Sequence, residues 1–190
     1  MSSLTIVAGP SCVGKTTLIN YLVNSRAPSL AQYLNFTKTH EPVVIGLSDL
    51  KEIEARIDNL IIHYDLFFHS VESVQILRSP QLAGYGNITF ITLHIPKNLL
   101  LLRSVKRLLW KFIRLLNPQE SHAMIFKGIA LGIKKTLYYC SSKKIDQLYT
   151  KWDNFKDLHF NGFQDLEARF NELDHEKGLF SENHWTFVKR

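Results

Sequence analysis

Leu4-Thr5-Ile6-Val7-Ala8-Gly9-Pro10-Ser11-Cys12-Val13-Gly14-Lys15-Thr16-Thr17-Leu18 is the stretch that decides the fold. Its first five residues are apolar or β-branched, the composition of a short buried strand. Gly9 to Gly14 is rich in turn residues. From Thr16 onward Leu18, Ile19, Leu22 and Val23 recur at helical spacing. The order is therefore strand, glycine loop, helix, and the loop carries the complete pattern Gly9-x-x-x-x-Gly14-Lys15-Thr16, the Walker A phosphate loop. Each part has a physical task. Glycines admit backbone angles that a side chain obstructs. The loop turns its N–H groups inward as an anion nest, and the following helix aims its positive end at the same point. Lys15 supplies a point charge to the β and γ phosphates of a nucleoside triphosphate, and the Thr16 hydroxyl is the expected Mg²⁺ ligand. Gly9, Ser11, Cys12, Val13, Gly14, Lys15, Thr16 and Thr17 are thus the expected nucleotide-binding residues, with Cys12 at a variable position.

Moving outward, Leu60 to Phe68 (LIIHYDLFF) and Asn87 to Ile95 (NITFITLHI) read as two more buried strands. Tyr33 to Thr37 reads as a short strand. Ser48 to Asn59 reads as an amphipathic helix, with Asp49 and Glu52 at capping-box spacing. Ser70 to Tyr85 reads as partly helical and broken near Pro80. Lys97 to Lys156 reads as mainly helical, followed by a helix over Phe163 to Leu173 and an aromatic tail, His184 to Val188. Strands alternating with helices indicate an α/β fold with a parallel sheet between helices. No repeat, low-complexity segment or Pro/Gly/Ser-rich linker divides the 190 residues, so one domain over 1–190 is expected, with a helical insertion or lid over about 97–156.

The string GPSCVGKTTL from Gly9 is similar to the guanylate kinase opening GPSGVGKSTL, and the chain at this point resembles the P-loop NTPases of the nucleoside-monophosphate kinase group. The resemblance implies a five-stranded parallel sheet of order 2-3-1-4-5, a nucleotide donor site at the loop and a mobile lid. Guanylate kinases follow their second strand with a Thr-Thr-Arg and Pro-Arg-rich segment that holds GMP. The corresponding Phe36-Thr37-Lys38-Thr39-His40-Glu41-Pro42 lacks the arginine pair. The resemblance therefore implies a phosphate donor, ATP before GTP, and leaves the acceptor open.

Asp65 closes the apolar run Leu60 to Tyr64. A carboxylate at the carboxyl end of a parallel strand lies where open α/β sheets bind ligands. Beside the first strand it would hold the metal, accept a proton from an acceptor, or simply cap the turn. Of His63 and Tyr64, one is expected to point into the core. A GTPase is disfavoured: Leu66-Phe67-Phe68 follows Asp65 where a DxxG switch would run, and no NKxD motif occurs.

Leu99 to Leu116 (LLLLRSVKRLLWKFIRLL) is a basic amphipathic helix. Arg103, Lys106, Arg107, Lys111 and Arg114 form one stripe, and Leu102, Val105, Leu109, Phe112, Ile113 and Leu116 form the expected apolar side. Three readings stand together: a lid whose Arg103 and Arg107 contact the transferring phosphates, a surface for an anionic membrane, nucleic acid or protein, and an ordinary solvated face. Lys127, Lys134, Lys135, Lys143 and Lys144, interleaved with Phe126, Tyr138 and Tyr139, are weakly compatible with nucleic acid.

Composition bounds the rest. Net charge is +6 with pI near 9.3, which favours anionic partners. Cys12 and Cys140 form no CxxC pair. The start lacks a basic region followed by an apolar run, and no apolar stretch reaches the roughly 20 residues of a membrane span, so a cytoplasmic location is expected. The chemistry expected is ATP-dependent phosphoryl transfer to a small molecule. The alternative is a regulatory ATPase that binds a macromolecule or membrane through its basic helices. A sulfotransferase relative is the third possibility, though that group typically lacks the Gly-Lys-Thr ending.

Overall fold

Residues 2–26, 28–34, 36, 41–46, 57–68, 85–114, 122–159, 164–166 and 184–189 are described by the structure, a computed structural model. In chain order they form Ser3–Gly9 (β1), Lys15–Val23 (α1), Pro28–Tyr33 (α2), Val43–Gly46 (β2), Asn59–Asp65 (β3), a short 3₁₀ turn Leu66–Phe68, and Asn87–His94 (β4). Three long helices follow, Lys97–Arg114 (α3), His122–Tyr139 (α4) and Ser142–His159 (α5), and then Gln164–Leu166 (β5) and His184–Lys189 (β6).

All seven residues of β1 are buried, as befits a mainly apolar central parallel strand covered on both faces. β1 lies between β3 and β4, and β2 lies outside β3. These four strands are parallel, in the order β2-β3-β1-β4. Beyond β4 the sheet departs from expectation. The next strand is β6, antiparallel, and β5 pairs with it at the edge. The aromatic tail thus supplies a strand in place of a fifth parallel one. A chain that returns after three helices is free to enter the sheet in either direction, and composition does not encode which.

Other differences are local. Tyr33 closes α2 and is not in a strand. β3 stops at Asp65, and Leu66–Phe68 turns away. Gln164–Leu166 is a strand where a helix was expected over Phe163 to Leu173; residue 163 and residues 167–173 lie outside the described residues. The helix expected over Ser48 to Asn59 lies outside them for residues 48–56, and Asn59 already belongs to β3. The segment Ser70 to Tyr85 lies outside them apart from Tyr85.

The core sits on the sheet, with Ile6, Ile61, Ile62, Phe90 and Ile91 fully shielded from solvent. Trp152 of α5 closes it. Its indole N–H donates to Thr92 Oγ1 at 2.8 Å, and its ring packs 5.0 Å from Tyr64 and 5.7 Å from Phe90. Burying an indole requires a partner for its N–H, and Thr92 provides it. Tyr64 is therefore the inward-pointing member of the His63–Tyr64 pair.

α3 and α4 pack closely. Ser104 and Thr136 share a hydroxyl hydrogen bond at 2.7 Å, and Lys111 Nζ donates to the Gly128 carbonyl at 2.8 Å. A Cβ on Gly132 would stand 2.9 Å from Leu108 Cδ1. Small residues at this seam let the two backbones approach. α3 buries Leu100 and Ser104; of its basic stripe Arg103, Arg107 and Lys111 line one cavity, while Lys106 and Arg114 are exposed. The expected apolar side is the reverse of a core face: Leu102, Val105, Leu109, Phe112 and Ile113 are exposed, and Leu116 lies outside the described residues.

Candidate functional site

The carboxyl ends of β1 and β3 lie side by side, with Gly9 opposite Asp65 in the parallel register. The loop therefore leaves the sheet edge next to the carboxylate, at the crevice where open parallel sheets take ligands. Gly9 is required by close approach: a Cβ there would fall 2.8 Å from Val13 Cγ1 and 3.2 Å from the Leu93 carbonyl. Gly14 has φ +114° and caps α1 without a side-chain hydrogen bond. Cys12 has φ +71°, in the left-handed region that costs a non-glycine residue about 1–2 kcal/mol.

Lys15 is 4 % exposed. Its ammonium donates to the carbonyls of Gly9 at 2.8 Å and Pro10 at 2.7 Å. Burial lowers its pKa from 10.5 to about 8, against the opposing pull of Asp65. Asp65 is held from three sides. Its Oδ2 accepts from Ser11 Oγ and, at 2.9 Å, from Lys135 Nζ; its Oδ1 accepts from the Phe67 N–H at 3.1 Å. Lys135 Nζ also donates to Ser11 Oγ and stands 5.1 Å from the Phe67 ring centre. Burial alone would push the Asp65 carboxyl up, but Lys15, the Ser11 hydrogen bond and Lys135 outweigh it and hold it below the usual carboxylate range. The Ser11 N–H donates to Tyr139 Oη at 3.0 Å, which ties α4 to the loop.

These groups line a cavity of about 400 Å³, within the size of ordinary small-molecule sites. Ser11, Cys12, Gly14, Lys15, Thr16 and Thr17 form one wall, while Val13 is fully buried beneath it. Arg103 and Arg107 form the other wall with Lys111. Arg103 donates to the Val13 carbonyl at 3.3 Å, and Arg107 lies 3.9 Å from Cys12 Sγ. His63 also lines the cavity, its pKa lowered by burial and by Lys15. Lys15, Arg103 and Arg107, expected at the phosphates, and Asp65, expected as a metal holder, a proton acceptor or a turn cap, line the same cavity.

Lys135, Lys111 and Tyr139 were not expected as site residues. Lys135 is one of several lysines in its helix, and nothing local distinguishes it. The seam that sets Ser104 against Thr136 places Lys135 over the loop. Five cationic side chains, Lys15, Arg103, Arg107, Lys111 and Lys135, meet one carboxylate. With the N-terminus of α1, which has no side-chain cap, this arrangement suits a polyanion with several terminal oxygens. Among the described residues no cluster of His, Cys, Asp and Glu forms a metal site by itself. No family model matches the chain, and comparisons with curated proteins and with solved structures return no match.

Proposed function

We propose that this chain binds a nucleoside triphosphate, ATP before GTP, and transfers its terminal phosphoryl group to a small hydroxyl or phosphate acceptor. The convergence of those five cations and the α1 N-terminus on one cavity carries the reading. In this reading Lys15 leaves the Gly9 and Pro10 carbonyls for the β and γ phosphates. Arg103, Arg107 and Lys135, carried on α3 and α4 as a lid, neutralise charge on the transferring group. Catalysis is then positioning and electrostatics, which suits a loose phosphoryl-transfer transition state. Asp65, held below the usual range, is a weak base at neutral pH and suits orientation better than proton abstraction.

The donor set suits Mg²⁺. Thr16 offers an exposed hydroxyl on the cavity wall and Asp65 a carboxylate oxygen. Mg²⁺ takes few protein ligands and completes its shell with water and phosphate oxygens. When bound it would neutralise charge across the β and γ oxygens.

The test is ADP formation across nucleosides, nucleotides and sugars. The proposal expects one class to stimulate turnover well above the acceptor-free rate. Turnover that stays negligible with every small acceptor, yet rises with DNA, RNA or anionic vesicles, would replace the kinase reading with a regulatory ATPase.

A further inference from the structure

The helical hairpin α3–α4 has two sides. Ser104 against Thr136, Leu108 against Gly132 and Lys111 against Gly128 define an antiparallel seam. On one side of that seam Arg103, Arg107 and Lys135 enter the cavity. At 3.6 residues per turn, Val105, Leu109 and Phe112 fall about a quarter to a half turn around α3 on the other side, and Leu102 continues the row. On α4 the same rotation places Phe126, Ile133 and Leu137 there. Because the helices are antiparallel, the two rows lie on one face and join into a single strip. Leu102, Leu109, Phe126 and Leu137 are 62 %, 58 %, 60 % and 64 % exposed. An apolar surface of this continuity marks an interaction site.

The chemistry of the border identifies the occupant. Lys106 lies along one edge of the strip, and Lys127 and Lys134 lie along the other; all three are exposed. Neither helix contains an Asp or Glu. A second copy of the chain docked by two-fold symmetry would bring lysine edges together with no carboxylate from these helices between them. An anionic bilayer meets both needs, taking the aliphatic side chains among its acyl chains and the lysines among its headgroups. No helix among the described residues is long and apolar enough to cross a membrane.

We infer that the α3–α4 hairpin docks this protein on an anionic lipid surface through the Leu102–Leu109–Phe112 and Phe126–Ile133–Leu137 rows. The cavity lies on the opposite side of the hairpin, so a docked molecule keeps its phosphate site open to water.

Flotation of the full chain with vesicles tests this. The chain is expected to float with phosphatidylcholine vesicles containing about one third phosphatidylserine, and not with phosphatidylcholine alone. Leu109→Glu with Leu137→Glu is expected to lower partitioning at least about tenfold. Each of Lys106→Ala, Lys127→Ala and Lys134→Ala is expected to lower it about fivefold. All these positions are exposed, so an unchanged melting temperature verifies the fold. Absence of flotation, or flotation that the double Glu variant retains, overturns the inference. Flotation abolished by excess tripolyphosphate while the Glu variant still binds places the lipid phosphate in the cavity instead, and also overturns it. Self-association that the Glu variant abolishes, without flotation, reassigns the strip to a second copy. Capture of soluble polyglutamate without flotation reassigns it to an acidic protein. None of these readouts depends on triphosphate turnover, so this inference and the kinase reading fail separately.

Discussion

Replacing Lys15 by methionine keeps a long unbranched side chain and removes its charge. Burial lowers the pKa of Lys15 from 10.5 to about 8 in the folded chain. A displacement of that size is a penalty of about 3 kcal/mol for holding the ammonium in the folded state. The unfolded chain gives up this proton at the higher pKa. The penalty is therefore fully present below pH 8, declines as the folded state releases its proton first, and is gone above 10.5. Methionine avoids it at every pH. Against this, the Gly9 and Pro10 carbonyls lose their donor, at about 1–2 kcal/mol together. The net expectation at pH 7 is that Lys15→Met stabilises the free protein by about 1–2 kcal/mol. By pH 9.5 the natural chain has recovered about 2 kcal/mol, and the advantage vanishes or reverses. Tyr139 and Tyr149, both pushed up by burial, are present in both proteins and largely cancel in the difference. Urea unfolding of the two proteins at both pH values measures it. A difference independent of pH, or a less stable methionine variant at pH 7, would refute the view of Lys15 as a buried cation held at an energetic cost.

Two other substitutions test the neighbourhood. Asp65→Asn leaves Lys135 and Lys15 without their carboxylate and is expected to destabilise by about 2–3 kcal/mol at neutral pH. Asp65 has a lowered pKa, so its stabilisation is present above the ordinary carboxylate range and is lost as pH falls through the folded value; the two proteins should converge in acid unfolding curves. Thr5→Val in β1 removes a fully buried hydroxyl that has no partner among the described residues. It is expected to raise stability by about 1 kcal/mol in thermal unfolding, and a loss would show that a partner for that hydroxyl exists.

Legibility followed the range of the interactions. β1, the loop and α1 are contiguous, and their pattern alone yielded Gly9, Gly14 and Lys15 in the right relation. Asp65 was legible because an acid ending an apolar strand is conspicuous, and only its adjacency to β1 needed the structure. The stripe of α3 was legible as a periodicity, but a period does not say which face turns inward. Here Arg103, Arg107 and Lys111 line the cavity, while the apolar row is exposed. Lys135 and Tyr139 reach the loop across more than a hundred residues of chain, and no local pattern carries that information. The antiparallel β6 was hidden for a similar reason, since a short aromatic run is compatible with either strand direction.

The most direct measurement of the central claim is calorimetric titration of MgATP and MgGTP into the natural chain and into Lys15→Ala. Saturable binding is expected, weakened about a hundredfold or more by the substitution, a loss of roughly 3 kcal/mol, with an unchanged circular dichroism spectrum. Because a bound polyphosphate keeps Lys15 charged, binding near pH 8 should also take up protons from the buffer. No binding by the natural chain, or equal affinity in Lys15→Ala, would contradict the assignment of the loop as a triphosphate site.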